Sequence, residues 1–322
     1  MKLNEREQAC DKIVIHMEET EAGLSVKEFL RKQWQVSGRL LTRLKKEETV
    51  RLNGRWAPFH EKLAAGDVLQ LGMAEEACDF VSQPLAFEVV YEDVDVMVVN
   101  KPPRMLTHPT VNLREDTLAN GLMHYMMERG ERYKVRFVNR LDMDTSGVMI
   151  IAKNAFSHHS LMLQMKEDQT VKTYRVLVWG RLSEDEGTID APIYRQEDLP
   201  ANEPPRRIVD IRGKRAVSHF QVEERYANAS LVKVTIETGR THQIRVHMKY
   251  LGHPVIGDYF YEPDQPHLIE RQALHAAETS FYQPRMGHLI QVTAGLPEDL
   301  MALQQRLKET DGGLFREPMK RK

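Results

Sequence analysis

The chain has 322 residues, 41% of them hydrophobic and 29% charged, with a net charge of −2. That length allows about two domains and a sizeable core, and the charge balance excludes a polycation that holds nucleic acid by bulk attraction, so any basic surface is local. Cys10 and Cys78 stand far apart without metal-type spacing, no apolar run approaches the ~20 residues that span a bilayer, and the first residues carry no apolar signal core; the expectation is a reduced, cytoplasmic protein with no membrane association.

In chain order, Ile13-Val14-Ile15 is a candidate first strand. Ser25 and Glu28 have the spacing of a capping box, with Leu24 and Phe29 at staple positions, so a helix starts there. A second helix is expected from Ser37-Gly38-Arg39 to Lys46. Val50-Arg51-Leu52 then alternates into Asn53-Gly54, a hairpin signal, and Gly66-Asp67 leads into the short strand Val68 to Leu71. Residues 24–73 hold ten Lys/Arg against five Asp/Glu. Most charge runs are solvated helix faces. Here the helix pair, hairpin and local surplus favour a module that contacts RNA phosphates, with Arg39, Arg43 and Lys45 as the expected contacts.

An acidic stretch ending near Pro84 reads as a linker. Two strands follow, from Phe87 to Tyr91 and from Val94 to Val99, around a Glu-Asp turn. Next comes Asn100-Lys101-Pro102-Pro103, running on to His108-Pro109. Lys101 is either a phosphate contact or an exposed lysine at a strand end. Residues 117–128 read as a helix with Leu118, Leu122 and Tyr125 on one face.

Residues 139–153, NRLDMDTSGVMIIAK, are the stretch the other segments serve. The apolar run 148–152 predicts a buried strand, which leaves Asp142 in a loop at its mouth. A calcium loop would need a Glu at its twelfth position, where Lys153 stands. An aspartyl phosphoryl-transfer loop would follow its strand rather than precede it. There remain a lone nucleophilic or basic aspartate and a turn in which Asp142 or Asp144 caps backbone N–H groups. The capping role suits Asp144 better than Asp142.

Residues 155–167 predict a helix and 172–178 an alternating strand, with Lys172, Tyr174, Val176 and Val178 on one face. Residues 190–215 carry four prolines and several arginines and read as a long irregular loop, a candidate RNA-contacting arm. A strand is expected over 231–238. Thr241 is then the expected cap of a helix that carries Ile244, Met248 and Leu251 inward, with Gly252 ending it. His242 and His247 lie about 140° apart on such a helix, which excludes a shared metal. Leu274-His275-Ala276 reads as core. Residues 297–307 predict a closing amphipathic helix, and Lys320-Arg321-Lys322 a solvated basic tail.

Several of these motifs together resemble the RluA family of pseudouridine synthases. Arg140, Leu141, Asp142, Thr145, Ser146, Gly147, Ala152 and Lys153 match its signature, with Asn139 in place of the usual His. The 100–109 segment matches its first motif, with Arg104 in place of Gly. Lys172-Thr173-Tyr174 matches its Lys-x-Tyr motif, and residues 239–247, followed by Gly252-His253-Pro254 and Gly257-Asp258, match its longest one. The first module resembles the S4 RNA-binding domain. The resemblance implies an α+β fold: an S4-like module with an N-terminal extension (1–75), a linker (76–86), a catalytic domain on a mixed, largely antiparallel sheet with flanking helices (87–310), and a polar basic tail (311–322).

It also implies isomerisation of uridine in structured RNA, ribosomal rather than transfer, by a protein acting as a monomer. The reaction exchanges one bond to the ribose for another, so no cofactor and no metal are expected. Asp142 is the implied catalytic carboxylate, with Arg245 favouring its charged form. Tyr174 lies against the base and is a candidate acceptor of the C5 proton. Leu274 packs beside ribose or base, and Arg140 enters the stack vacated by the flipped nucleotide. His108, Lys172 and Arg240, together with Lys101, are the implied RNA contacts of this domain. Two rival readings stand beside this one: a non-catalytic RNA-binding or ribosome-assembly factor, and a glycoside hydrolase using Asp142 and Asp144.

Overall fold

The computed structural model describes residues 3–4, 7–73, 78, 80–110, 113–197 and 205–309. The basic tail, part of the acidic linker and the middle of the proline-rich segment lie outside them.

The N-terminal part forms a four-stranded antiparallel sheet carrying two helices. Its elements are β1 (Lys12–His16), α1 (Val26–Lys32), α2 (Gly38–Lys46), β2 (Val50–Leu52), β3 (Arg55–Trp56) and β4 (Val68–Gly72), with sheet order β1-β4-β2-β3. The capping box closes as expected: Glu28 N donates to Ser25 Oγ, and Ser25 N donates to Glu28 Oε2. Ser37 caps α2 in the same way through Leu40 N. Asn53 and Gly54 both adopt positive φ, 52° and 81°, so β2 and β3 are joined by the tight turn their sequence encodes. Phe29, Leu30, Leu44, Leu69 and Leu71 bury one face of these elements completely.

The rest is built on a ten-stranded sheet. Its first half contains β5 (Glu88–Glu92), β6 (Val96–Lys101), α3 (Leu118–Glu128), β7 (Arg136–Phe137), β8 (Ser146–Ala152), α4 (Ala155–Lys166) and β9 (Val171–Trp179). The second half contains β10 (Glu186–Asp190), β11 (Ile193–Arg195), β12 (Arg207–Val209), β13 (Val217–Arg225), β14 (Ala229–Ile236), α5 (Gln243–Tyr250), β15 (Leu274–Tyr282), β16 (Leu289–Thr293) and α6 (Glu298–Glu309). The main order is β10-β13-β14-β9-β15-β8-β6-β5, with β16 on β15 and β7 on β8. Among the described strands only β8 and β15 pair in parallel, so the sheet is largely antiparallel, as the resemblance implied. Every residue of β8 is buried, which explains its continuous apolar run. Among the described residues no helix is long and apolar enough to cross a membrane.

Two expectations are corrected. The segment 190–215 is not structureless: β11 and β12 form a small two-stranded sheet of their own. The helix after β14 begins one residue late, because His242 rather than Thr241 stands at its N-cap, and Leu251 is exposed rather than inward. Gly252, at φ 84°, does end it.

The parallel seam between β8 and β15 is sealed by polar groups. His275 is fully buried, with Nδ1 2.9 Å from Ser146 Oγ and Nε2 3.2 Å from the Ala294 carbonyl. A carbonyl can only accept, so Nε2 carries a proton, and burial, which lowers the ring's pKa to about 4, keeps the imidazole neutral. Gly147 adopts φ +116° at this seam, and a Cβ there would lie 2.1 Å from the Ala276 carbonyl oxygen. No other residue fits that position.

The two sheets meet through a buried ion pair. Arg285 and Asp95 are both fully buried, with Arg285 Nε 2.8 Å from Asp95 Oδ2. The guanidinium also donates to the Lys12 and Ala9 carbonyls and to Gln8 Oε1. Asp95 accepts from Asn154, Ser157 and Gln283 as well. Trp34 of the first core stacks near Phe156 of α4, with centroids 5.1 Å apart.

Two outcomes are expected. Arg285→Met leaves the Asp95 carboxylate buried without its cation and lowers stability in urea melts by about 3–5 kcal/mol; a loss within ~1 kcal/mol would show that the bridge contributes little. Burial holds the pKa of His275 down to about 4, so its contribution is intact above pH 6.5 and is lost as the unfolded chain alone takes up a proton between pH 6.5 and 4. Unfolding measured across that range shows the decline, and His275→Gln flattens it.

Candidate active site

Asp142 sits in the loop between β7 and β8. The Thr145 N–H donates to the Asp142 carbonyl and closes the turn. Asn139, in the position where the family usually has His, anchors the loop from the other side: its Oδ1 accepts from Ile150 N at 2.8 Å. Arg271, almost wholly buried, donates to the Asp144 carbonyl and the Ser146 hydroxyl while Asp299 grips it at 2.7 Å.

The carboxylate of Asp142 is about 30% exposed and meets Arg245 Nη1 at 3.1 Å. Arg245 comes from α5, 103 residues further along the chain. Its other two nitrogens are held in a fork by Asp258, Nε at 2.7 Å and Nη2 at 2.8 Å. Burial alone would lower the pKa of Arg245; the bonds to Asp258 and the charge of Asp142 outweigh it and raise the pKa. Asp258 itself is buried and follows Gly257, whose φ of +77° and 2.0 Å virtual Cβ contact with the Arg271 carbonyl admit only glycine. The guanidinium therefore arrives pre-aimed, with one nitrogen left for Asp142.

His242 completes this wall. It holds φ 59°, a conformation rare for a side chain larger than glycine. Nε2 lies 3.8 Å from Asp142 Oδ2, and Nδ1 lies 2.8 Å from the Tyr261 hydroxyl. The same hydroxyl accepts from Arg207 N, which fixes the tyrosine ring beside the imidazole. Burial lowers the pKa of His242, with Asp142 partly opposing, which keeps the imidazole neutral.

Two clefts meet at Asp142. The larger, about 930 Å³, is lined by Arg140, Tyr174, Lys172, His108 and Arg240 among others. The smaller, about 340 Å³, runs under Arg245 and Asp258 to Phe260. A site of this size accommodates an extruded nucleotide with its flanking phosphates. Arg140 is exposed at the rim. Tyr174 is nearly buried, and burial, reinforced by the charge of Asp142, raises its pKa far above neutrality. It remains a phenol, suited to stacking and poorly suited to accepting the C5 proton. Lys172 is held low by burial, partly countered by Asp168. His108 is lowered by burial and then by Arg140. Arg240 Nε donates to the Arg215 carbonyl.

Two residues expected here stand elsewhere. Lys101 is not a phosphate contact. It is fully buried, and its Nζ donates to the Pro102, Met105 and Met143 carbonyls at 2.8–2.9 Å. Burial draws its pKa down to about 7, with Asp144 partly offsetting. Those bonds straddle Arg104, which adopts φ 60° where the family has Gly; the ammonium holds a turn that an arginine alone would resist. Leu274, 4% exposed, pairs with Val176 in the central core, as its core reading expected, and lines neither cleft. Conversely, Asp258 and His242 had been read only as motif letters and as a rejected metal pair. His247, the other half of that pair, is turned away towards Ser218 and the Ala191 carbonyl. On α2, Arg39 and Lys45 are exposed and Arg43 is half-exposed.

Known proteins share this arrangement of chain. A family model described as RNA pseudouridylate synthase matches residues 95–250, and one described as RluD ribosomal pseudouridine synthase N-terminal domain matches residues 13–69. The chain is 40% identical over 268 residues to the uncharacterized RNA pseudouridine synthase YlyB of Bacillus subtilis, covering 82% of this chain and 87% of that one. It is 36% identical over 276 residues to the ribosomal large subunit pseudouridine synthase D of Neisseria meningitidis, covering 82% and 73%. Of solved structures, the human RNA pseudouridylate synthase domain containing 1 is similar with a TM-score of 0.54 and 27% identity, over 72% of this chain and 98% of that one. The chain thus belongs to the RNA pseudouridine synthases. It is an isomerase that converts uridine in RNA to pseudouridine.

Asp258→Asn leaves at most one, neutral, bond to Arg245, because the amide nitrogen donates and cannot accept from the guanidinium. The expected loss is about 1.5–3 kcal/mol, or roughly ten- to a hundredfold in rate. It falls on kcat under saturating RNA. Unchanged kcat would show that Arg245 does not need its anchor.

Proposed function

We propose that Asp142 is the catalytic carboxylate of this reaction, acting on a uridine flipped out of structured large-subunit ribosomal RNA. The observation that carries the proposal is the Asp258–Arg245–Asp142 chain at the floor of a cation-rimmed cleft. Isomerisation needs the N1–C1′ bond broken, the uracil turned, C5 joined to C1′, and a proton moved from C5 to N1. Asp142 either attacks C1′ or removes a ribose proton. Both steps need an ionised oxygen beside the sugar, and an adjacent guanidinium favours that form.

A stacked uridine cannot reach the floor of the cleft, so it is extruded at a cost of roughly a few kcal/mol. Arg140, at the rim two residues before Asp142, is suited to fill the gap it leaves. Tyr174 offers an aromatic face, worth about 1–3 kcal/mol per stacked base. Lys172, His108 and Arg240 line the same cleft and are read as contacts to the flanking backbone. The N-terminal part, read as an S4-like module, adds Arg39, Arg43 and Lys45 as phosphate contacts. The ribosomal target is favoured by the name of the Neisseria relative, a ribosomal large subunit pseudouridine synthase, and by the match to an RluD N-terminal domain. The free thiols Cys10 and Cys78 suit a reducing cytoplasm. The protein is read as acting as a monomer.

Asp142→Asn is expected to abolish pseudouridine formation on unmodified ribosomal RNA while RNA affinity is retained; wild-type turnover by this variant removes the proposed carboxylate. Arg140→Ala is expected to lower kcat/KM about ten- to a hundredfold on folded RNA and much less on an unpaired oligonucleotide, because only a paired base leaves a gap to fill. Equal losses on both substrates would contradict that role.

A further inference from the structure

The reaction proposed above gives His242 no task. The residue stands at the N-cap of α5, yet its side chain caps no helical N–H. Its backbone is left-handed, at φ 59°, a conformation that Gly and Asn adopt more readily than an imidazole does. Backbone strain of this kind persists where the surrounding contacts over-determine it, and it gathers at functional sites. Here the turn sends the ring away from the helix and towards Asp142.

The ring is fixed from behind. Nδ1 lies 2.8 Å from the Tyr261 hydroxyl, which is itself held by Arg207 N of β12 at 3.2 Å. Tyr261 is buried, and its own N–H donates to the Asp258 carbonyl. Phe260 and Tyr261 meet the imidazole edge-on, with centroids 5.7 and 5.6 Å away. Plain packing does not account for this placement, on two grounds. The imidazole lines both clefts. Its Nε2, at 3.8 Å, and Arg245 Nη1, at 3.1 Å, also approach the same oxygen of Asp142, Oδ2. Among the described residues none is hydrogen-bonded to Oδ1.

We propose that His242, seated by Tyr261, is a positioning residue for the Asp142 carboxylate: with Arg245 it holds Oδ2 from a second side and leaves Oδ1 to meet the ribose. The inference rests on the reading that Asp142 is the reacting carboxylate. His242 carries its proton on Nε2, because a lone pair turned towards a carboxylate would be repelled, and Nδ1 then accepts from the Tyr261 hydroxyl. At 3.8 Å the Nε2 contact is longer than a hydrogen bond. It shortens when RNA fills the cleft, as contacts in unliganded active sites often do. Two lines of support thus end on one oxygen, Asp258 through Arg245 and Tyr261 through His242.

The test uses the full chain, an unmodified large-subunit ribosomal RNA transcript, and single-turnover formation of pseudouridine. His242→Asn suits the left-handed backbone and keeps a polar group on the Tyr261 side, but its shorter side chain ends short of Asp142. The expected result is a melting temperature and an RNA affinity no lower than wild type, with a rate constant about tenfold lower. His242→Gln puts an amide N–H near the place of Nε2 and is expected to recover part of that rate. A wild-type rate in His242→Asn overturns the proposal. A rate lost equally in both variants also overturns it, since that marks packing rather than aim. Tyr261→Phe removes the hydroxyl alone. It is expected to slow the wild type and to leave His242→Asn no slower, because residues acting along one line do not add their losses; additive losses overturn the link through Tyr261. Failure of the Asp142 reading appears separately, as turnover by Asp142→Asn.

Discussion

One guanidinium, gripped by one carboxylate and offered to another, is the interaction around which this molecule is arranged. Arg245 is buried, and a buried cation needs compensating charge. Asp258 supplies it through two parallel bonds. The remaining nitrogen faces Asp142. The carboxylate proposed to act on the ribose is thus aimed by a group that is itself immobile, and most of the neighbouring architecture keeps it so. Gly257 delivers Asp258, Arg271 holds the loop that carries Asp142, and Gly147 lets β8 approach β15 closely enough for the loop to sit above the seam.

A second layer of support lies beneath the loop. Lys101 gathers three carbonyls from two segments, one of them the Met143 carbonyl next to Asp142. The residue acts through its position in the core, as His275 does on the other side of β8. Lys101, Arg271 and His275 are buried polar groups placed around the Asp142 loop, and each is hydrogen-bonded. The same principle appears at the junction of the two sheets, where Arg285 and Asp95 form a fully buried pair. A junction of that kind fixes the N-terminal part against the ten-stranded sheet.

The strands were legible because their patterns have simple physical causes. Alternation in residues 172–178 marks a strand, although both of its faces are covered, with Thr173 and Leu177 as buried as Tyr174 and Val176; the unbroken apolar run after Gly147 marks one covered on both faces outright. Capping at Ser25 and Ser37 and the turn at Asn53-Gly54 are local chemistry, readable from neighbours alone. Lys101 was misplaced because its environment is made by distant segments. A lysine caged by carbonyls and a lysine exposed at a strand end look identical in one dimension. His242 was weighed only as a helical metal ligand, and its left-handed backbone, which ends that comparison, is set by tertiary contacts with Tyr261 and Asp142. Asp258 lay in plain view beside its glycine, but its partner stood thirteen residues away. The segment 190–215 hid a short hairpin because its prolines and arginines mask strands only three residues long.

The central claim is that the Asp142 carboxylate, steadied by Arg245, rebuilds a uridine of large-subunit ribosomal RNA as its carbon-linked isomer. The most direct measurement maps pseudouridines in that RNA from cells lacking this chain, then from the same cells supplied with the wild-type protein or with Asp142→Asn. The account predicts at least one pseudouridine absent from the deletion strain, restored by wild type and not by the variant. A pseudouridine map unchanged by the deletion, or restored equally by Asp142→Asn, would contradict it.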